Sequence, residues 1–212
     1  MTSLLIPLAY IFVDKAFALA VLVPLTVFSY FLEFLGKEGM PMHNFYFKTF
    51  GTLLRPHETR KEWYMVNGAT WVLISATITI LLFPKIIAIT VFSILILSDM
   101  FAALIGRRYG KTKLFDKSLQ GTSAFVVVAV IIVLLLAAIF DMNWTYVASG
   151  AIGGIVAGLI EAASVSLRLD DNLSIPISAG LVMLLFYLGF DSFTNPSFPI
   201  LFELQPFLLV LE

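Results

Sequence analysis

Apolar residues run along this chain in long blocks, without the alternating or one-sided patterning of a water-soluble fold. Blocks at about 4–13, 16–35, 63–81, 86–104, 122–140, 147–167 and 173–190 are separated by short polar segments. Most approach or reach the roughly 20 residues that a helix needs to cross a bilayer. The pattern predicts an all-α, polytopic membrane helix bundle of about seven apolar segments, a single membrane domain over residues 1–212. The first block is too short to cross alone and is interrupted by Asp14-Lys15, so it reads as a re-entrant piece or the remnant of a longer N-terminal helix. A last apolar stretch, 198–211, is broken by Glu203 and Pro206 and reads as an interfacial or partly inserted tail.

Composition agrees with the pattern. Hydrophobic residues make up 60% of the chain and charged residues 13%, with mean hydropathy +0.98, which leaves no room for a separate soluble domain. The chain has no cysteine, excluding disulfides, thiolate metal sites and cysteine nucleophiles. Its first apolar stretch lacks a basic start and a small-residue cleavage site, so no cleavable signal peptide is expected.

Charge sets an expected orientation. If the segment Gly106 to Gly121 is cytoplasmic, alternation makes 36–62 and 168–172 cytoplasmic too. Those three segments hold Lys37, Lys48, Arg55, Arg60, Lys61, Arg107, Arg108, Lys111, Lys113, Lys117 and Arg168, 11 of the 13 basic residues, leaving Lys15 and Lys85 for the other side. The positive-inside rule supports that topology. It puts the polar clusters on the face where cytoplasmic nucleotides are found, in a bacterium the inner face of the inner membrane.

Two acids lie within apolar blocks. Asp99 and Glu161 each precede a cytoplasmic boundary by about six or seven residues, roughly 9 to 10 Å at the helical rise. An intramembrane carboxylate costs about 2.5 to 3.5 kcal/mol on insertion scales, so it faces a protein interior or a wet cavity and marks a functional site by default. Asp99 shares a helical face with Ala102, Ala103, Gly106 and Gly110, and Glu161 shares one with Gly150, Gly154 and Gly158. Small residues of that kind permit close helix packing. The alternative is that each acid simply bridges neighbouring helices.

Basic and glycine-rich residues follow Asp99 directly: Gly106-Arg107-Arg108-Tyr109-Gly110-Lys111, then Lys117-Ser118-Leu119-Gln120-Gly121. An acid that can hold a metal ion, joined to a basic loop that can meet phosphate, suits an enzyme handling a phosphorylated substrate at a membrane surface. The loop is neither a Walker sequence nor a dinucleotide fingerprint, and basic residues at a cytoplasmic helix end are also an ordinary orientation device. Asp170-Asp171-Asn172 is a third acidic group, readable equally as a cap for the next helix, which Ser174 and Pro176 suit. Arg55 could grip a phosphate with Glu58 holding its guanidinium, or both could sit in a solvated loop. His43 and His57 read as interfacial.

These residues together resemble a known family. Asp99-x-x-Ala102-Ala103-x-x-Gly106-Arg107-x-x-Gly110-Lys111, Lys117-Ser118-x-Gln120-Gly121, Glu161-Ala162 and Asp171-Asn172-x-x-Ile175-Pro176 look like the CTP-dependent lipid kinases. That family comprises dolichol kinase, phytol kinase and the CTP-using diacylglycerol kinase. With Arg55-x-x-Glu58 and Asn67-Gly68-Ala69 upstream, the likeness covers about residues 50–180. A related pattern occurs in phosphatidate cytidylyltransferases. Two departures stand out: Gln120 replaces a common Glu, and the Arg-Lys and His segment usual before the first span is missing ahead of Met1-Thr2-Ser3.

The resemblance implies transfer of the γ-phosphoryl group of CTP to the hydroxyl of a membrane lipid alcohol, with Mg2+ as the divalent cation. The partners expected are CTP, the lipid acceptor and the bilayer, with no nucleic acid. It implies catalytic roles for Asp99, Glu161 and Lys117. Nucleotide contacts are expected from Arg107, Gly110, Lys111, Ser118, Gln120, Gly121, Arg55, Glu58 and Asn172, and metal contacts from Asp99, Glu161 and Asp171. A cytidylyltransferase, or a small transporter or scaffold using the two acids for ion passage, are the competing expectations. No inverted repeat supports transport.

Overall fold

The computed structural model describes residues 2–36, 67–167 and 170–190. Within them lie seven α-helices: α1 (Leu5–Phe12), α2 (Lys15–Leu35), α3 (Gly68–Leu82), α4 (Lys85–Tyr109), α5 (Leu119–Phe140), α6 (Trp144–Ala162) and α7 (Asp171–Phe190). A 3-10 turn, Thr2–Leu4, precedes α1, and a minimal antiparallel hairpin, β1 (Lys113–Leu114) and β2 (Lys117–Ser118), joins α4 to α5. Helices α2, α4, α5, α6 and α7 are long and apolar enough to cross a membrane, and α3 is a shorter apolar helix. The protein is a multi-pass helical membrane bundle.

Polar residues at the breaks in the apolar pattern set the helix starts. The side chains of Asp14, Asn67, Ser118 and Asn143 accept from the backbone N–H of Phe17, Thr70, Gly121 and Tyr146. Asp170 does the same for Asn172 at the start of α7. Each bond satisfies a helix-end donor that otherwise has no partner. Pro84, one residue beyond the C-cap of α3, supplies no N–H and opens α4 instead.

Helices α4 to α7 form a ring in which consecutive helices pack together and α7 returns to α4; α3 packs on α7, and α2 lies against α3. Helix α4 contributes fully buried Ile86, Ile87, Val91 and Ile94, and α5, α6 and α7 meet them with Phe125, Tyr146 and Met183. The outward face of α2 carries exposed Phe17, Val27, Phe28 and Phe31, the composition expected of a surface against lipid. Hydroxyls bind α2 to α3, with Thr26 Oγ1 2.9 Å from Thr77 Oγ1 and Ser29 Oγ 2.7 Å from Thr70 Oγ1. At one end of that pair the Asn67 N–H donates to Glu33 at 2.6 Å. At the other, Lys15 Nζ donates to the Leu81 carbonyl at 2.9 Å.

Glycine brings α6 onto its neighbours. A Cβ on Gly154 would lie 2.8 Å from Ala129 Cβ, one on Gly158 3.0 Å from Val126, and one on Gly150 2.7 Å from Val133. The stripe that continues to Glu161 thus faces α5, as its spacing predicts.

Several expected boundaries shift. The short first segment is the eight-residue α1, buried at Pro7 and Tyr10 and packed on α4. Helix α4 runs five residues past the expected 104, so Gly106 to Tyr109 are its last turn and the expected loop begins only at Gly110. Arg107 and Arg108 suit that turn because cations oppose the negative end of the helix dipole. Helix α6 ends at Ala162, not 167, in a turn over 163–167. The tail 198–211 and the segment carrying Arg55, Glu58, His43 and His57 lie outside the described residues.

Candidate functional site

The hairpin end of the ring gathers the polar residues that the sequence singles out. Lys117 on β2 reaches across to α6, where its Nζ lies 2.6 Å from Glu161 Oε1. Asp171, the first residue of α7, has Oδ2 3.9 Å from the same nitrogen. Glu161 is almost completely enclosed, its side chain 3% exposed against 34% for Lys117. A carboxylate that deep is costly without a partner, and Lys117 supplies one from a hairpin that stands outside the helical ring. Burial pulls the Lys117 pKa down, but hydrogen bonding and attraction from Glu161, with further attraction from Asp171 and Asp99, outweigh it and leave the ammonium above its ordinary value. Asp99, half-buried on α4, is therefore electrostatically part of the same cluster.

The cluster borders an open cavity of about 510 Å³. Its walls are the end of α4 (Ala102, Ala103, Gly106, Arg107), the hairpin segment (Gly110 to Lys113, then Asp116 to Ser118), the start of α5 (Gly121, Thr122) and Glu161. Arg107, Lys111, Lys113 and Lys117 thus line one space with one buried carboxylate. A pocket so charged attracts an anion such as a polyphosphate.

Glycines create the space and the close approach around it. A Cβ on Gly121 would sit 3.0 Å from the Ala102 carbonyl and 3.3 Å from Gly106 Cα, and one on Gly110 would press on the Gly106 carbonyl and on Ser118. Helices α4 and α5 therefore touch backbone to backbone at the cavity. This is a packing role, different from the phosphate-cradling loop that the sequence suggests. The Gly121 N–H is likewise occupied, donating to Ser118 Oγ at 3.2 Å as the cap of α5.

Gln120 acts on the protein itself. Its Oε1 accepts from the backbone N–H groups of Lys111 and Thr112, at 3.1 and 3.3 Å, and so ties the hairpin to α5. A carboxylate oxygen at this position could accept the same bonds, so the amide preserves the one function visible here. Asn172 faces its own helix start: its side-chain amide donates to Asp170 at 2.9 Å, and its carbonyl accepts from Ser75 Oγ at 2.6 Å. Asp170 is thus the cap of α7, one of the two readings of that triplet, while Asp171 turns toward Lys117.

A divalent cation finds no ready-made cage, for no group of three His, Cys, Asp or Glu among the described residues lies close enough to form one. Two atoms nevertheless fit such an ion. Glu161 Oε2 and Thr122 Oγ1 are buried without a hydrogen-bond partner, and both residues line the cavity. Leaving such atoms unsatisfied costs about 1–3 kcal/mol each, more for a charged group. Magnesium takes oxygen ligands and is usually held by one or two carboxylates with phosphate and water completing the shell; the donor set suits an ion arriving with a polyphosphate. Thr122 escapes notice in the sequence, although a hydroxyl directly after a helix-capping Ser-x-x-Gly must lie in the first turn beside it. Asp116 and Lys113 escape likewise, because only the hairpin's fold turns them inward.

The chain matches no protein-family model and no solved structure. It is 29% identical over 177 residues to an uncharacterized protein of Rickettsia prowazekii, covering 84% of this chain and 86% of that one. It is also 29% identical over 175 residues to CTP-dependent diacylglycerol kinase 1 of Saccharomyces cerevisiae, covering 72% of this chain. The likeness spans 59% of the yeast kinase's length.

Proposed function

We propose that the protein is a CTP-dependent lipid kinase, transferring the γ-phosphoryl group of CTP to the hydroxyl of a membrane lipid alcohol at the cytoplasmic face. The observation that carries this reading is the Lys117–Glu161 pair, a buried carboxylate opening on a cavity walled by four basic side chains. Similarity to a yeast enzyme that bears the CTP-dependent diacylglycerol kinase name supports the donor, and makes diacylglycerol the first acceptor to test.

Phosphoryl transfer asks an enzyme for positioning and charge neutralisation more than for covalent chemistry. Arg107, Lys111 and Lys113 bind the triphosphate from the aqueous side. Lys117, held by Glu161, meets the γ-phosphoryl group and balances the charge that builds on its oxygens. Glu161 Oε2 and Thr122 Oγ1 would hold magnesium, which when bound would draw charge from the phosphate oxygens. Asp99 lies a helical turn deeper than Ala102 and Ala103, on the side from which a lipid hydroxyl arrives, and it takes the proton of that hydroxyl. The new bond joins the lipid oxygen to the γ-phosphorus, the bond to the bridging oxygen breaks, and CDP leaves.

Asp99→Asn and Glu161→Gln test these assignments. Each variant should lose turnover while remaining folded and extractable, as judged by gel filtration in detergent. Retained activity in both would remove the acids from the reaction.

A further inference from the structure

Asp116, at the turn of the hairpin and on the cavity wall, makes contacts with a segment far along the chain. Its Oδ2 accepts from the Ser166 N–H at 2.7 Å and its Oδ1 from the Ser166 hydroxyl at 2.8 Å, across 50 residues of sequence. Its own N–H donates to the Ala162 carbonyl at 3.1 Å. The next residue on each side of that bond belongs to the ion pair: Lys117 follows Asp116, and Glu161 precedes Ala162. The preceding residue, Phe115, is held at φ 53°, a left-handed conformation that is an outlier for a bulky side chain. Such a conformation persists only where its surroundings over-determine it.

We propose that Asp116 is a positioning residue, its carboxylate clasping Ser166 so that the hairpin is fixed on the end of α6 with Lys117 standing over Glu161. Lysine carries a long flexible stem and no planar fork to fix its direction, so the direction must come from the backbone that bears it. A two-residue strand pair alone is too small to hold itself rigid. Gln120 ties one side of the hairpin to α5, and the Asp116–Ser166 clasp ties the other to the turn that follows α6. The catalytic consequence rests on the phosphoryl-transfer reading; the clasp itself does not.

The test uses the full chain in lipid nanodiscs. The chain has no cysteine, so cysteines replacing exposed Lys113 and Val165 carry spin labels on the two sides of the clasp, and the distance distribution between them is measured. Wild type and Asp116→Asn should give one narrow distribution, because the amide can accept from the Ser166 N–H and donate to its hydroxyl. Asp116→Ala should broaden it, and Ser166→Ala, losing only the hydroxyl bond, should fall between. In the transfer assay without labels, Asp116→Ala should lower kcat by up to about a hundredfold, the scale of a 1 Å misplacement. Its KM for CTP should stay near wild type, because Arg107 and Lys111 remain, and Asp116→Asn should restore kcat. A distribution in Asp116→Ala as narrow as wild type overturns the proposal, as does an unchanged kcat with a loosened hairpin. A wild-type protein that transfers no phosphoryl group overturns the kinase reading instead, and the distances still decide the clasp.

Discussion

At the scale of the residue, the site turns on one unequal pair. Glu161 is buried and Lys117 is one-third exposed, so removing the lysine leaves a buried carboxylate that has lost the cation bonded to it. Lys117→Met should destabilise the protein by about 3 kcal/mol, the lower end for a broken buried pair because water reaches Lys117. The double variant with Glu161→Gln should recover most of that loss; thermal unfolding in one detergent measures both. The pair also has a pH signature. The Lys117 pKa is raised above 10.5 in the fold, so its contribution is complete below pH 10.5 and disappears as pH rises through the higher folded value. In Lys117→Arg, whose charge persists, the alkaline fall in melting temperature should begin at higher pH than in wild type.

At the scale of the element, the α4–hairpin–α5 unit depends on close backbone contact and on a strained turn. Gly121→Ala would press a methyl on the Ala102 carbonyl and on Gly106 Cα, backbone that cannot turn aside as a side chain can. It should cost about 1–3 kcal/mol, the range for overpacking. Phe115→Gly should act oppositely at the turn, relieving about 1 kcal/mol of left-handed strain. Denaturation midpoints of the two variants should move to opposite sides of wild type.

The same unit marks what could be read from the sequence. The apolar blocks, the capping reading of Asp170-Asp171-Asn172, and the face shared by Gly154, Gly158 and Glu161 all follow from local period and side-chain chemistry. Asp99 and Glu161 were legible because charge within an apolar block is costly and needs partners, whereas the resemblance to the lipid kinases added Lys117 and Asp171 to them. The hairpin was not legible, since two-residue strands carry no periodicity. The continuation of α4 to Tyr109 was hidden by two glycines that suggest a loop, when their small size serves helix contact. The Asp116–Ser166 clasp and the Thr26–Thr77 and Ser29–Thr70 pairs join residues far apart in sequence, so nothing in one sequence ties them together.

At the scale of the molecule, one end of the bundle holds the candidate site. The end carrying Lys15 and Lys85 uses those two lysines to bond backbone carbonyls of Leu81 and Val13. The basic bias among the loops predicts that the hairpin end is cytoplasmic. Single cysteines replacing Lys113 and Trp144, at opposite ends of the bundle, should react with a membrane-impermeant thiol reagent from opposite sides of sealed vesicles, Lys113 from the cytoplasmic side. Labelling of both from one side would contradict the arrangement of the spans.

The central claim is that γ-phosphate moves from CTP to a lipid hydroxyl, and its most direct measurement follows label into lipid. Purified protein in mixed micelles receives magnesium, CTP labelled separately at the γ-phosphate and in the cytosine, and diacylglycerol, polyprenol, phytol or phosphatidate. The account predicts γ-phosphate in the product of one of the alcohols, first of all diacylglycerol, with no cytosine in any lipid. Cytosine in the lipid would identify a cytidylyltransferase, and transfer of neither label would contradict the enzymatic reading altogether.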